Sequence, residues 1–494
     1  MDRRRFLRTG LGATAAWALP LSLGRSLFAA SLPADITAMD DLTLSRAIRE
    51  GDVSCAEVMQ AYLARIHRYN PVYNAIISLL PDDELLQQAR QADRALARGE
   101  YAGWMHGMPH AAKDLTPVAG LPYTSGSRLY ADRVANADGT LAASLRRAGA
   151  IFIGKTNVPE FGLGSQSYNP LFGATGSAWD PTKTAGGSSG GAASGLGTHM
   201  LPVADGSDMM GSLRNPGAFN NVIGFRPGTN VMRASDGPER ALSTSGPMGR
   251  NTADTIRLLQ TIAVNPVGDD FSPRDLRGLR LAWFGDFDGY LAMEDGILGL
   301  CESALATVED AGATVEAIQP RFDPAQLWRC WVTLRHSGRD GYLNFYNDPE
   351  QRALLKPELI YEIEHGMTLS EQHVAAARLI REDWYRELAR LFREYDYLVL
   401  PTSQVFPFAK DSHWPGQIEG RAMDTYHRWM ESVIPGSLGG LPVLNVPAGF
   451  NAAGLPMGMQ IMGPYGADRR VLEFGLAYER ITDFLQRRPA LVSA

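Results

Sequence analysis

The chain has 494 residues, of which 45% are hydrophobic and 20% charged, with a net charge of −7. That balance suits a soluble globular protein with a large core, and the sequence shows no low-complexity tract, no repeat of fixed period and no charge run. No basic patch interleaved with aromatic residues occurs, which argues against nucleic acid as a partner.

The N-terminus reads as an address. Arg3-Arg4-Arg5-Phe6-Leu7-Arg8 precedes an apolar stretch from Leu11 to Leu23, and Ala29-Ala30-Ser31 offers a cleavage point. This resembles a bacterial twin-arginine export leader. A spanning helix wants about 20 apolar residues, and Pro20 and Arg25 interrupt this run. The expectation is a leader over residues 1–30, a mature chain over 31–494 in the periplasm or outside the cell, and no membrane in the mature form. The leader carries five arginines against Asp2, so its loss takes the net charge to −11.

Ser54 followed by Glu57 forms a capping box, and Val58, Met59, Tyr62, Leu63 and Ile66 share one helical face. Asn70-Pro71 is expected to end that helix. A second helix is predicted from Asp82 to Ala97. Asp138 is a candidate cap for a helix that Gly149 closes, and Ile151-Phe152-Ile153 reads as a buried strand. Leu279–Phe284, Ala313–Ile318 and Tyr397–Leu400 read as strands, with a helix over Ile297–Ala311 between the first two. The alternation predicts one α/β domain with a mixed, largely parallel sheet covered by helices on both faces. Residues 320–395 are rich in helix formers and aromatics, and they read as a helical subregion with a role in substrate specificity.

The three cysteines, Cys55, Cys301 and Cys330, lie far apart without CxxC spacing. Three buried thiols are expected, with a single disulfide as the alternative. Nine histidines are scattered without an HExxH pair. Neither a metal nor another cofactor is expected.

Two glycine-rich stretches invite familiar readings. Gly149 to Thr156 fits the phosphate-loop pattern GxxxxGK[ST], but its middle is Ile-Phe-Ile, which favours a strand over a phosphate cradle. Gly187-Ser188-Ser189-Gly190-Gly191 fits GxSxG, which would make Ser189 the nucleophile of an α/β-hydrolase. The segment before it, Asp180 to Ala185, is loop-like rather than an apolar strand, although His336, His365, His373, His413 and His427 could supply a base.

A third reading joins these serines to their flanks. Pro109-His110-Ala111-Ala112-Lys113-Asp114 lies upstream and Gly206-Ser207-Asp208-Met209-Met210-Gly211-Ser212-Leu213-Arg214 downstream, with 24 positions from Ser188 to Ser212. With Lys155 to Phe161, Gly224 to Pro227, Gly246 to Arg250 and Gly454 to Gly458, this set resembles the amidase signature family over nearly all of residues 40–480.

The resemblance implies a serine amidohydrolase of small amides. Ser212 is the nucleophile, Ser188, behind a cis peptide bond, the proton relay, and neutral Lys113 the base. Lys113 must have a depressed pKa to accept a proton, and its mostly apolar flank suits burial. Backbone N–H groups of Met209, Met210 and Gly211, with Ser212, occupy the family's oxyanion-hole positions. The chain departs from the family there: Met210 stands where glycine is usual, which would strain the backbone if φ were positive. Asp208 and Arg214 are expected to brace this loop and Ser207 to orient Ser188. Tyr123, Phe161, Trp328 and Trp331 are candidates to line a pocket for an apolar or aryl group. The expected partners are a small amide and water, acting on a monomer or homodimer. A carbamate or ester hydrolase on the same site, and a catalytically silent binding protein, stay as alternatives.

Overall fold

The computed structural model describes residues 35–232 and 241–493. The leader over residues 1–30 lies outside the described residues.

Helix α1 (Cys55–Tyr73) starts as its sequence predicts: the Ser54 hydroxyl accepts the Glu57 N–H, and the Glu57 carboxylate returns to the Ser54 N–H. The helix does not stop at Asn70-Pro71. It runs to Tyr73, with Asn74 in the left-handed conformation at φ 51° as its cap. Asn70 Oδ1 instead gathers the N–H groups of Ala75 and Ile76 and turns the chain just beyond the helix. Helix α2 spans Asp82–Ala97, as predicted. The helix over Thr140–Arg147 takes Gly139 as N-cap, not Asp138. Asp138 is spent on the Ala119 N–H and on an ion pair with Arg146 at 2.7 Å.

Strands β1 (Pro109–Lys113) and β2 (Ile151–Thr156) pair in parallel, and Ile76–Ile77 completes a three-stranded sheet on the far edge of β2. Because β2 runs through Gly154-Lys155-Thr156, no phosphate loop forms there. Lys155 is buried, donates to the Thr116 carbonyl and sits 3.8 Å from Asp114.

Next come α3 (Gly190–Gly197), β3 (Ala204–Asp208), α4 (Arg214–Asn220), β4 (Ile223–Arg226) and β5 (Thr244–Gly249). The last third contributes β6 (Arg280–Trp283), α5 (Ile297–Asp310), β7 (Thr314–Ala317), β8 (Tyr397–Pro401), β9 (Val443–Phe450) and β10 (Pro456–Met462). The eight-stranded sheet they form has the order β7-β6-β8-β10-β9-β4-β5-β3. It is mixed, as expected, but parallel pairing is confined to β7-β6-β8; the remaining neighbours are antiparallel. One of these pairs has a local reason: β9 returns into β10 through a short turn over 451–455, and such a hairpin can only be antiparallel.

Both faces of this sheet are covered. Leu398 and Leu400 pack into one apolar cluster while Tyr397 and Val399, alternating with them, pack into another. Residues 320–395 are helical, as expected, with Pro324–His336, Pro357–Met367 and Glu371–Leu391 as the main helices. All three cysteines are buried, and no disulfide links them among the described residues.

Candidate active site

Three elements deliver the chemistry to one place. Lys113 is the last residue of β1. Ser188 and Ser189 immediately precede α3. Ser212 lies on the loop from β3 to α4. The first turn of α3 is pressed onto β2: a Cβ on Gly191 would lie 2.3 Å from the Asn157 nitrogen, so only glycine lets the two serines come this close to the β-layer. The Gly187–Ser188 peptide is cis.

Lys113 is 1% exposed. Its Nζ lies 2.9 Å from Ser188 Oγ, 2.8 Å from Ser189 Oγ and 3.0 Å from Ser207 Oγ. Burial pulls its pKa down to about 7, against the opposing pull of Asp205 and Asp208. The amine is therefore neutral in a large fraction of molecules at neutral pH, surrounded by hydroxyls that can donate to its lone pair.

Asp205 anchors this arrangement. Its Oδ1 accepts the Lys113 backbone N–H at 3.1 Å and faces His110 Nε2 at 3.0 Å, while Oδ2 accepts the Thr116 hydroxyl at 2.9 Å. Ser207, expected to orient Ser188, contacts the amine itself and among the described residues makes no hydrogen bond to Ser188. Ser189, read from GxSxG as a rival nucleophile, is fully buried and bonded to Lys113. Among the described residues no histidine is hydrogen-bonded to Ser188, Ser189 or Ser212, so the α/β-hydrolase arrangement is absent from this loop.

Ser188 and Ser212 open onto one cavity of about 160 Å³. The Ser212 backbone carbonyl accepts the Ser189 N–H at 3.2 Å, which ties the two serine segments together. No hydrogen bond joins the Ser188 and Ser212 hydroxyls among the described residues, and the Ser212 hydroxyl faces the cavity without a partner.

Asp208 and Arg214 brace the loop as expected. Arg214 Nε and Nη2 meet the Asp208 oxygens at 3.0 and 2.9 Å, and Arg226 adds a contact at 3.3 Å. Burial alone would raise the Asp208 pKa; the two guanidiniums outweigh it and hold the carboxyl well below its usual range. Arg214 also donates to the Val433 carbonyl, Gln460 and Ser437, so the loop is tied to the sheet and to residues beyond it.

This bracing corrects one oxyanion assignment. The Gly211 N–H donates to Asp208 Oδ1 at 3.0 Å, so it is already engaged. The N–H groups of Met209, Met210 and Ser212 have no hydrogen-bond partner among the described residues. The strain anticipated for Met210 does not arise: the positive φ, 79°, falls on Gly211. Both methionines line the cavity: Met210 is also buried in the core, and the Met209 sulfur lies 3.2 Å from Arg335 Nη1.

Of the four pocket candidates, Phe161 lines the cavity and the others do not. Tyr123 stacks under the Arg133 guanidinium at 3.9 Å. Trp328 packs against His427 and Arg428, and Trp331 is wholly buried in the core. On Pro324–His336 these indoles turn inward, while Arg335 and, just past the helix, Arg339 reach the cavity. Nothing in the local sequence marks those two arginines; the packing of the helical subregion places them.

Glu362 lies between them, 2.6 Å from Arg335 Nε and also paired with Arg339 Nε. His336, Glu362 and His427 bring potential metal-ligand atoms within 4.8 Å of one another. They suit a metal poorly. The carboxylate is already taken up by Arg335, Arg339 and Tyr426, and added positive charge beside two guanidiniums would be repelled.

Residues 57–472 match the family profile described as Amidase. An acylamidase of Rhodococcus erythropolis is 31% identical over 465 residues, covering 90% of this chain and 96% of that protein. A glutamyl-tRNA(Gln) amidotransferase polypeptide of Thermus thermophilus is 32% identical over 470 residues, covering 88% and 95%. Among solved structures, a bacterial aryl acylamidase of the amidase signature family superposes with a TM-score of 0.82 at 25% identity, covering 91% of this chain and 99% of that one.

Proposed function

Since the chain belongs to the amidase signature family and hydrolyses amide C–N bonds, we propose that the reaction runs through an acyl-enzyme on Ser212, with Ser188 as proton relay and neutral Lys113 as base. The observation that carries this reading is the buried Lys113 amine, 2.9 Å from Ser188 Oγ, with Ser188 and Ser212 on one cavity.

A serine hydroxyl attacks an amide only if its proton leaves as the C–O bond forms. Ser212 Oγ bonds to the carbonyl carbon, its proton passes to Ser188 Oγ, and the Ser188 proton passes to the Lys113 lone pair. The carbonyl oxygen becomes an oxyanion, for which the N–H groups of Met209, Met210 and Ser212 are the available donors. Collapse breaks the C–N bond, and Ser188 hands a proton back to the departing amine. Water then repeats the sequence on the ester and releases the acid. Ser189 and Ser207, on the other sides of the amine, position it.

A fluorophosphonate probe followed by peptide mapping tests the assignment. Label on Ser212 that is lost in Ser212→Ala supports it. Label on Ser189 in place of Ser212 would overturn the assignment of the nucleophile, and no label with no turnover of any anilide would favour a silent binding protein.

We also propose that the chain is exported through its twin-arginine leader and acts as a monomer or homodimer on small amides. The support is the Arg3–Arg8 cluster before the apolar run. N-terminal sequencing of periplasmic material should start near residue 31; retention of residues 1–30 in the cytosol would refute export.

A further inference from the structure

We infer that Arg339, with Arg335 behind it, binds a carboxylate on the substrate, so that the enzyme favours amides whose short acyl chain ends in a carboxylate. This deepens the amidase reading and rests on it for the position of the scissile bond.

The argument starts from charge. Arg335 and Arg339 line the same cavity as Ser212. Among the described residues their one carboxylate partner is Glu362, and both give it their Nε. Two permanent cations therefore share one anion. Glu362 is held ionised: burial alone would raise its pKa, but Arg335 and Arg339 outweigh it. The adjacent His336 and His427 are held neutral by burial, so they change the balance in neither direction. A guanidinium cannot shed its proton, and in a partly enclosed cavity it favours an anionic partner. A carboxylate on a ligand would pair the part of Arg339 that Glu362 leaves unengaged.

Hydrogen bonding points the same way. Arg335 Nη2 donates to Tyr426 at 3.0 Å, but Nη1 has only the Met209 thioether at 3.2 Å, a weak acceptor. Neither Nη of Arg339 has a partner among the described residues. Two Nη groups on one planar fork match the two oxygens of a carboxylate. The same cavity is also lined by Leu115, Phe161 and Met430, which suit a short methylene chain, and its volume of about 160 Å³ leaves room for little more. The apolar pocket expected from the sequence thus combines apolar side chains with two guanidiniums.

Two measurements test the inference. Wild-type enzyme is assayed on glutaryl-p-nitroanilide and on pentanoyl-p-nitroanilide, which lacks the charge. The kcat/KM ratio should favour the glutaryl substrate by about 30-fold or more and fall toward unity in Arg339→Gln. Independently of turnover, glutarate is titrated by calorimetry into Ser212→Ala and into Ser212→Ala carrying Arg339→Gln; the second should bind about 30-fold more weakly. Should the glutamine variant fail to fold, Arg339→Lys keeps the charge on Glu362 but loses the fork, and glutarate affinity should drop about fivefold or more. An equal or reversed substrate preference in wild type, or glutarate affinity indifferent to residue 339, overturns the carboxylate site while leaving Ser212 labelling intact. Loss of Ser212 labelling with glutarate binding preserved would instead sink the amidase reading alone.

Discussion

Lys113 Nζ stands 2.9 Å from Ser188 Oγ, although 75 positions separate the two residues in the chain. A lysine in that position is useful only without its proton. Its pKa, pulled down to about 7 by burial, sets a rate limb. Below that value the ammonium has no lone pair, and kcat/KM should fall about tenfold per pH unit; above it the rate should level off. A pH–rate profile on a neutral anilide checks this. Lys113→Ala should remove the limb together with most of the activity, and wild-type turnover in that variant would mean that another group is the base.

Ser212→Ala should lower kcat by about 10⁴-fold or more, since loss of the nucleophile disables the whole relay. Ser188→Ala leaves Ser212 in place but cuts the path to the amine, and a loss of about 10²- to 10⁴-fold is expected. Steady-state kinetics and thermal melts check both, and Tm should stay close to wild type because neither hydroxyl supports the core.

Asp208 is the counter-charge for two buried guanidiniums, Arg214 and Arg226. Asp208→Asn leaves both uncompensated, so unfolding stability should drop by about 3–5 kcal/mol. Urea denaturation measures it. Because Asp208 also holds the N–H groups of Gly211 and Leu213, activity should fall even where the variant remains folded.

Gly211 carries a positive φ of 79°, and a Cβ there would lie 2.8 Å from Asn215 Nδ2 and 2.9 Å from Val433 Cγ1. Gly211→Ala should cost about 1–2 kcal/mol in backbone strain, with more from the contacts. Since this residue sets the direction of Ser212, kcat should fall about tenfold or more. Met210→Gly, at an ordinary φ, should leave the loop geometry in place, and kinetics on both variants distinguish the two positions.

Features decided by near neighbours were legible in the sequence. The Ser54–Glu57 cap, the Ile151–Ile153 strand and the helical character of residues 320–395 follow from local bonding and periodicity. Lys113, Ser188, Ser212 and the Asp208–Arg214 brace were readable because the motifs around them keep a distinctive order. Other features depend on segments far apart in the chain, and only the folded structure decided them. The sheet is mostly antiparallel because strand direction is set by how distant segments return. Trp328 and Trp331 turn into the core while Arg335 reaches the cavity, since the faces of a helix acquire their roles from what packs against them. The guanidinium pair on the Ser212 cavity arises the same way: Arg335, Arg339 and Glu362 are ordinary charged residues in the sequence, and only packing brings the two arginines to one cavity with Glu362 shared between them.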